Sequence, residues 1–526
     1  MNDKSPKQSL QSYVSECCTN SSIHGCKFLG EKNRSIFERV FWFAVLVTCL
    51  FFCITLILEA YYKWQVSPVV VSFATSETPV WKIPFPAVTI CPEVKTQKSL
   101  VNFTDLVLIK KRGGKLNREQ IKQFNYMLEI CSNVSPNAEE TFDFLSEDFY
   151  DFLFNVQPTF TDTIDECFWA GKNCTDEAKK IFSPLVTTDG FCFSFNLLDR
   201  SDMFSEEVAL QYYTRFNISH QPSTNWQLEE GYKLHYDKVD MPRRTSIAGI
   251  SGGLQITLWV ESNNLDYFCG DALQGYKVML HNPSELPFSK QKYFRVGLNQ
   301  VVTAAVKPVI VKTSNQLKHY HPKKRQCYFP EERKLRFFKT YGQSNCLHEC
   351  LSNITNDNCG CVSFDMPRLN TTRICGYGKL RCTIEAIDKF VAIKHSKIDD
   401  GDVQDLIEKC DCRQTCSSLN FEAEISQVDW KWQKRSKTLA SIEMNTKSPY
   451  LYQYTKIQIF FKDLQFISSE RNELYGLMDF LSSCGGLLGL FIGFSFISLI
   501  ELMYFLTIRV ICNYKNFKNP INKEYI

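Results

Sequence analysis

Charge of one sign is what this sequence most plainly lacks. Sixty Lys and Arg stand against 57 Asp and Glu, leaving a formal net charge of +3 over 526 residues. No bulk field draws such a chain to nucleic acid, so no nucleic-acid partner is expected. The opening stretch, MNDKSPKQSL, is polar and has no early apolar core, so no cleavable signal peptide is expected. Internal repeats and low-complexity linkers are missing, as are an HExxH pair and a phosphate loop. One enzyme-like pattern remains, GISGG at Gly249 to Gly253. A nucleophile elbow needs a helix after the serine. Here LQITLWV follows and alternates like a strand, so the glycines read as a turn and the chain is not expected to be an enzyme.

Cysteine and apolar length are what the chain has instead. Its 23 Cys are too many for an ordinary cytosolic protein of this size and point to the secretory pathway. Phe41 to Leu58 is uncharged and mostly apolar, and Ile36 and Phe37 lead into it. That run reaches the roughly 20 residues a membrane span needs. A second run covers Phe480 to Ile500 and continues past Glu501 to Ile508, with nothing comparable between. A buried soluble helix can imitate one such run; two together argue for two spans. Lys27, Lys32, Arg34 and Arg39 precede the first, while Arg509, Lys515 and Lys518 follow the second. By the positive-inside rule both tails are cytoplasmic, and the residues from Tyr61 to Glu473 lie outside. Sixteen Cys fall in that stretch, with six Asn-x-Ser/Thr sequons. Asn102, Asn133, Asn217, Asn353 and Asn370 are the expected glycosylation sites; Asn173 precedes Cys174 and is set aside.

The expected organisation is therefore a tail (1–37), a span (38–60), a cysteine-rich extracellular domain (61–473), a second span (474–508) and a tail (509–526). The large domain reads as mixed α and β. KIQIFFKDLQF (Lys456 to Phe466) and GLQITLWVES (Gly253 to Ser262) read as strands. SEDFYDFLFNV (Ser146 to Val156) and DVQDLIEKC (Asp402 to Cys410) read as helices. From Cys327 onward the cysteines crowd, with two C-x-C and two C-x3-C spacings up to Cys416. Close cysteines can hold zinc, but the extracellular setting favours disulfides, and no metal site is expected. Ten such cysteines make five bridges that staple a helical region with little core of its own, each stabilising by roughly 2–4 kcal/mol. Spacing alone does not give the connectivity.

At this point the sequence resembles the degenerin/epithelial sodium channel family, and within it the acid-sensing and peptide-gated branches. His24 and Gly25 form an HG pair before the first span, like the family's cytoplasmic gating motif. FPAVTIC (Phe85 to Cys91), GFCFSFN (Gly190 to Asn196), the cysteine order from Cys91 to Cys416 and GLFIGFSFISLIEL (Gly489 to Leu502) complete a resemblance that covers nearly the whole chain. It implies the pairs Cys91–Cys192, Cys167–Cys174, Cys327–Cys416, Cys346–Cys412, Cys350–Cys410, Cys359–Cys382 and Cys361–Cys375. Cys131 and Cys269 are left over and are expected to bond to each other, a lone extracellular thiol being unfavourable. The resemblance further implies an α/β membrane protein. Two transmembrane helices would flank a mixed ectodomain with finger, thumb, knuckle, palm and β-ball subdomains, three copies surrounding a pore.

Gly485, Gly489 and Gly493 recur every four residues and share one helix face, which suits close helix packing. Packing does not account for Glu501, because an ionised residue inside a membrane costs about 2.5–3.5 kcal/mol and such groups face a polar cavity or pore. Glycines also permit a helix to break where its backbone lines water, and exposed carbonyls can then replace part of an ion's hydration shell. The family's narrow belt is a Gly-Ala/Ser-Ser triplet; its counterpart here is Gly493, Phe494 and Ser495. Phe494 departs from that pattern, and if it points inward it bears on selectivity. Asp479, Ser482, Gly486 and Gly489 are placed at the mouth and along the pore, with Ser482 at the family's degenerin position near the amiloride site. Glu501 matches an acid below the belt.

Acid-sensing relatives carry a His pair after the first span, yet no His occurs here between Gly25 and Ser219. Glu77 matches a family carboxylate whose partner, near Ile467, is missing. The family tryptophan before Cys327 is absent too, the stretch reading HPKKRQC. The resulting expectation is a plasma-membrane subunit of a homo- or hetero-trimeric, amiloride-sensitive, sodium-permeable channel opened by an extracellular neuropeptide. A proton-gated channel and a non-conducting two-pass receptor or modulatory subunit are the alternatives. An ATP-gated channel shares the topology but not the cysteine pattern. No cofactor is expected beyond the permeant sodium ions.

Overall fold

The computed structural model describes residues 6–66, 69–131, 141–209, 224–233, 240–270, 272–288, 292–395, 410–434 and 451–512. The chain forms two compact units, one of residues 1–71, 314–325 and 472–526, the other of residues 72–313 and 326–471. In chain order the main helices are α1 (Pro6–Asn20), α2 (Cys26–Gly30), α3 (Ile36–Val66), α4 (Phe103–Lys111), α5 (Arg118–Ile130), α6 (Asp148–Val156), α7 (Gln343–Cys359), α8 (Leu380–His395), α9 (Leu477–Ile492) and α10 (Phe496–Leu506). The main strands are β1 (Val69–Pro79), β2 (Ala87–Pro92), β3 (Ile164–Trp169), β4 (Lys172–Asn173), β5 (Phe182–Thr187), β6 (Gly190–Phe195), β7 (Leu254–Glu261), β8 (Tyr276–His281), β9 (Phe294–Val296), β10 (Gln300–Thr313), β11 (Ser418–Asp429), β12 (Tyr452–Phe461) and β13 (Gln465–Glu473).

The first unit is helical. Ser35 opens α3 by accepting the Glu38 amide proton on its hydroxyl at 3.3 Å, with the acid in the first turn. The 31-residue helix that follows is longer than the span expected from the sequence. Over Ile36–Gln65 its mean hydropathy reaches 2.7 with 6% of the apolar window buried, so it is long and apolar enough to cross a membrane. Trp64 of α3 stacks on Phe480 of α9, ring centroids 5.2 Å apart. The second apolar run is not one helix: Leu477–Ile492 and Phe496–Cys512 meet at 70°.

The second unit is built on a sheet with the order β1-β13-β10-β12-β7-β3-β4, and β11 pairs with β10 as well. The long β10 runs antiparallel to β11 from Gln300↔Asp429 to Val311↔Ser418. On its other side β12 and β13 lie one after the other, both parallel to it. The stretch Lys456 to Phe466 thus belongs to two strands with a turn at 462–464, not to one. Lys462 hydrogen-bonds back to Val306 there, and a short polar break outweighs the apparent alternation. A five-stranded sheet, β9-β8-β2-β6-β5, packs with the first around Val88, Ile90, Phe195, Ile256, Val278 and Ile457. GISGG forms a single 3-10 turn at Ile250–Gly252 leading straight into β7, which rules out the strand–turn–helix an elbow needs. Of DVQDLIEKC only Cys410 lies within the described residues.

Helices α4, α5 and α6 hold a separate core of Phe103, Phe124, Tyr126 and Phe149. By contrast the apolar cluster between α7 and α8 has only Cys350, Ile354, Ala386 and Phe390 buried among the described residues. Cys359–Cys382 joins the two helices, Cys346–Cys412 and Cys350–Cys410 tie α7 to residues 410–412, and Cys361–Cys375 closes the loop just after α7. The remaining bonds are Cys91–Cys192, Cys131–Cys269, Cys167–Cys174 and Cys327–Cys416.

Candidate functional site

The bend between α9 and α10 is set by three residues. Gly493 ends α9 at φ +63°, a left-handed turn that glycine adopts without a Cβ penalty. Its amide donates to the Gly489 carbonyl at 3.0 Å, and the Phe494 amide reaches back to Leu488 at 3.2 Å. Ser495 then caps α10: its hydroxyl accepts the Ser498 amide proton, and the Ser498 hydroxyl accepts the Ser495 amide proton at 3.0 Å. The Gly493 and Phe494 carbonyls take no backbone hydrogen bond among the described residues. Phe494 is half-buried.

The break is filled from the N-terminal segment. The His24 amide donates to the Ile492 carbonyl at 3.0 Å, one of the acceptors a helix end leaves open. A Cβ on Gly493 would lie 2.6 Å from Cγ of the His24 ring, so the imidazole occupies the space that glycine leaves. Gly25 turns the chain at φ +83° into α2, and its own Cβ would press on Leu46 of α3 at 3.3 Å. Phe28 of α2 stacks on Trp42 of α3 with centroids 4.4 Å apart, which fixes the loop. The HG pair thus has two jobs, a plug and a turn.

Glu501 is the sixth residue of α10. Its Oε2 accepts from the Ser22 amide at 3.0 Å and from the Ser22 hydroxyl at 2.8 Å. Ser22 Oγ is also 2.7 Å from Ser498 Oγ. Further along, the Tyr13 hydroxyl donates to the Phe505 carbonyl, and Arg509 pairs with Glu16. Sequence reading missed Ser22, Ser498 and Tyr13. Only the Ser495/Ser498 spacing carried a signal, as a capping box.

At the other end of α9, Asp479 accepts the Gly476 amide proton at 3.0 Å, so this mouth residue also starts the helix. Asp479 and Ser482 are exposed. A Cβ on Gly485, Gly486 or Gly489 would meet nothing within 4 Å. These three glycines therefore do not face α3 within one chain. In the same unit, residues 320–325 are tied to α3 and to the end of β13. Tyr320 hydrogen-bonds to Glu473, and Lys324 Nζ donates to Gln65 Oε1 at 2.5 Å. Arg325 is buried, its guanidinium donating to the Tyr320 carbonyl at 2.7 Å and to Leu317 and Lys318 at 3.3 Å each.

In the second unit, the aromatic face of α6 is core: Phe149, Tyr150 and Leu153 are buried, and Asp148 is tied to Lys122, Tyr126 and Ser146. Burial pushes His281 down to about 4. Its Nδ1 lies 3.0 Å from the Asn282 carbonyl and its Nε2 2.8 Å from the Thr89 hydroxyl, which suits a neutral ring. Burial likewise pushes His348, stacked on Phe288 at 3.8 Å, down to about 4. Burial pushes the Glu285 carboxyl up to about 7 beside Gly342, at the edge of a cavity of about 420 Å³. It also pushes Glu129 up to about 8. Glu77 is exposed. Of the sequons, Asn353 and Asn370 are exposed, and Asn102 caps α4 with its side chain. Asn133 and Asn217 lie outside the described residues.

Residues 17–505 match the family model described as amiloride-sensitive sodium channel. Pickpocket protein 28 of Drosophila melanogaster is 27% identical over 512 residues, covering 94% of this chain and 78% of that one. The bile acid-sensitive ion channel of Homo sapiens is 24% identical over 500 residues, 93% of this chain and 84% of that one. Epithelial sodium channel subunit gamma of Pan troglodytes is 22% identical over 502 residues, 92% and 78% respectively.

Proposed function

The chain belongs to the amiloride-sensitive sodium channel family, and from that premise we propose that it is a subunit of a trimeric, sodium-permeable channel opened by an extracellular peptide. The observation that carries the reading is the break at Gly493 to Ser495, filled by His24 and followed by Glu501. A helix that spends hydrogen-bonding capacity on a break, in an apolar segment, leaves backbone carbonyls where a cation can trade part of its hydration shell. Gly493, Phe494 and Ser495 form the narrow belt, Asp479 and Ser482 the outer mouth where an amiloride-type blocker binds, and Glu501 attracts cations from below. The open face at Gly485, Gly486 and Gly489 is kept for the pore or for neighbouring copies. The tails are cytoplasmic and the disulfide-rich unit is extracellular and glycosylated, at the plasma membrane.

Peptide gating is favoured because no His occurs between Gly25 and Ser219, and because burial pushes His281 and His348 down to about 4. Two buried carboxyls favour protons instead, burial pushing Glu285 up to about 7 and Glu129 up to about 8. Recording decides between them. The chain is expressed in oocytes under voltage clamp and exposed to amidated peptides, then to acid, with amiloride as blocker. An amiloride-sensitive peptide current is the expected result. Current with acid alone moves the stimulus to the buried carboxyls. Silence despite surface expression points to an obligate heteromer or a non-conducting subunit, and Phe494→Ala then tests whether the ring closes the belt.

A further inference from the structure

Among the described residues, Tyr13, Glu16, Ser22 and His24 tie the N-terminal segment to the broken helix. The His24 amide holds Ile492, the Tyr13 hydroxyl holds the Phe505 carbonyl, Arg509 pairs with Glu16, and Ser22 holds Glu501. The first three engage backbone or the end of the helix. The Ser22 link differs, because it engages the one carboxylate within the apolar segment. Two donors from one residue, an amide at 3.0 Å and a hydroxyl at 2.8 Å, converge on the same oxygen of Glu501. Bonds of that kind to a charged acceptor are short and roughly twice as strong as neutral ones. The same hydroxyl reaches Ser498 one turn earlier at 2.7 Å, so Ser22 bridges two positions on one face of α10. The two donors fix where the carboxylate points and occupy part of its accepting capacity.

We propose that Ser22 is a positioning residue for permeation, its amide and hydroxyl orienting the Glu501 carboxylate so that the N-terminal segment sets how strongly the inner pore holds cations. The inference rests on Glu501 being a pore acid, as proposed above. Ser22 itself touches no ion. It limits how far Glu501 can turn to coordinate a divalent cation arriving from the cytoplasm. Without the hydroxyl, the carboxylate is freer and holds such a cation more tightly.

The test is block by cytoplasmic magnesium in inside-out patches carrying the full chain. Ser22→Val removes the hydroxyl, whereas Ser22→Thr restores it on the same branched shape. Ser22→Val is expected to lower the half-blocking magnesium concentration by about tenfold, the equivalent of one charge-assisted hydrogen bond, and Ser22→Thr to stay near wild type. In a Glu501→Gln background the Val substitution is expected to change nothing further. A purely structural role would change current amplitude but not the block, and would act equally in both backgrounds; either finding overturns the proposal. A second measurement needs no current. Ser22→Cys with Glu501→Cys, in a chain with Cys17, Cys18 and Cys26 replaced by serine, is oxidised in membranes and digested. A disulfide-linked peptide pair supports the contact, and its absence overturns the proposal. If the cross-link forms but the wild-type chain passes no current alone or with related subunits, the channel reading fails, and the role in permeation falls with it.

Discussion

Gly493 answers to two constraints at once. Its φ of +63° costs an L-residue about 1–2 kcal/mol, and the His24 ring fills the space a methyl would need. Gly493→Ala is therefore expected to reduce current per surface-expressed protein by about tenfold. Gly485 is the control: it is helical and open, so Gly485→Ala should fold at least as well as wild type. Wild-type current from Gly493→Ala would show that His24 and the left-handed turn do not hold the break. Glu129 makes a different residue-scale prediction. Its carboxyl is buried near the backbone of Tyr377, and burial raises it from 4.5 to about 8. The folded state thus binds this proton more tightly than the unfolded chain. The resulting stability is complete below pH 4.5 and is lost as the pH rises through about 8. Glu129→Gln carries no such titration. Thermal melts of the purified chain and the variant should nearly coincide near pH 4.5, and the variant should melt higher by pH 8. A constant offset across that range would refute the assignment.

Elements differ in what secures them, and that decides what sequence could say about them. The helix α3 was plain from its apolar run, since nothing else satisfies so many backbone groups away from water. Break and acid in the second run were legible as well, because glycine spacing and a lone carboxylate are local signals. What fills the break was not. His24 and Gly493 are brought together by the tertiary fold, as are Ser22 and Glu501, 479 positions apart. No periodicity carries such a contact. The turn at 462–464 was missed because a two-residue alternation runs through it on both sides. The pair α7 and α8 follows from chemistry more than from pattern: four buried residues form its apolar cluster among those described, one disulfide joins the helices and two more tie α7 to residues 410–412. Mild reduction should therefore loosen this pair first. Hydrogen exchange is expected to accelerate over Gln343–Cys359 while Gln300–Thr313, paired on both sides, stays protected. Equal acceleration in both would mean that the disulfides hold the whole unit rather than this pair.

At the scale of the molecule, surfaces left apolar are the guide to assembly. Phe73 on β1 is 78% exposed and Ile467 on β13 is 57% exposed, both on the sheet of the disulfide-rich unit. Ile425 and Val428 on β11 are exposed as well. Single exposed apolar residues are common, but several on one sheet, within a chain whose helix also shows an open glycine face, favour a partner surface. A closed ring needs the same patch to meet a different patch on the next copy, so one substitution should disrupt every interface at once. Phe73→Glu puts a charge where the partner would desolvate it, at a position whose exposure leaves the fold of the single chain unharmed. Native mass spectrometry of the detergent-solubilised protein should give three chain masses for wild type and one for the variant. The eight disulfides should stay intact in both. A trimer that survives Phe73→Glu and Ile467→Glu together would place the contacts on the helices alone. A wild-type monomer would leave the glycine face with no neighbour and remove the reason for a threefold pore.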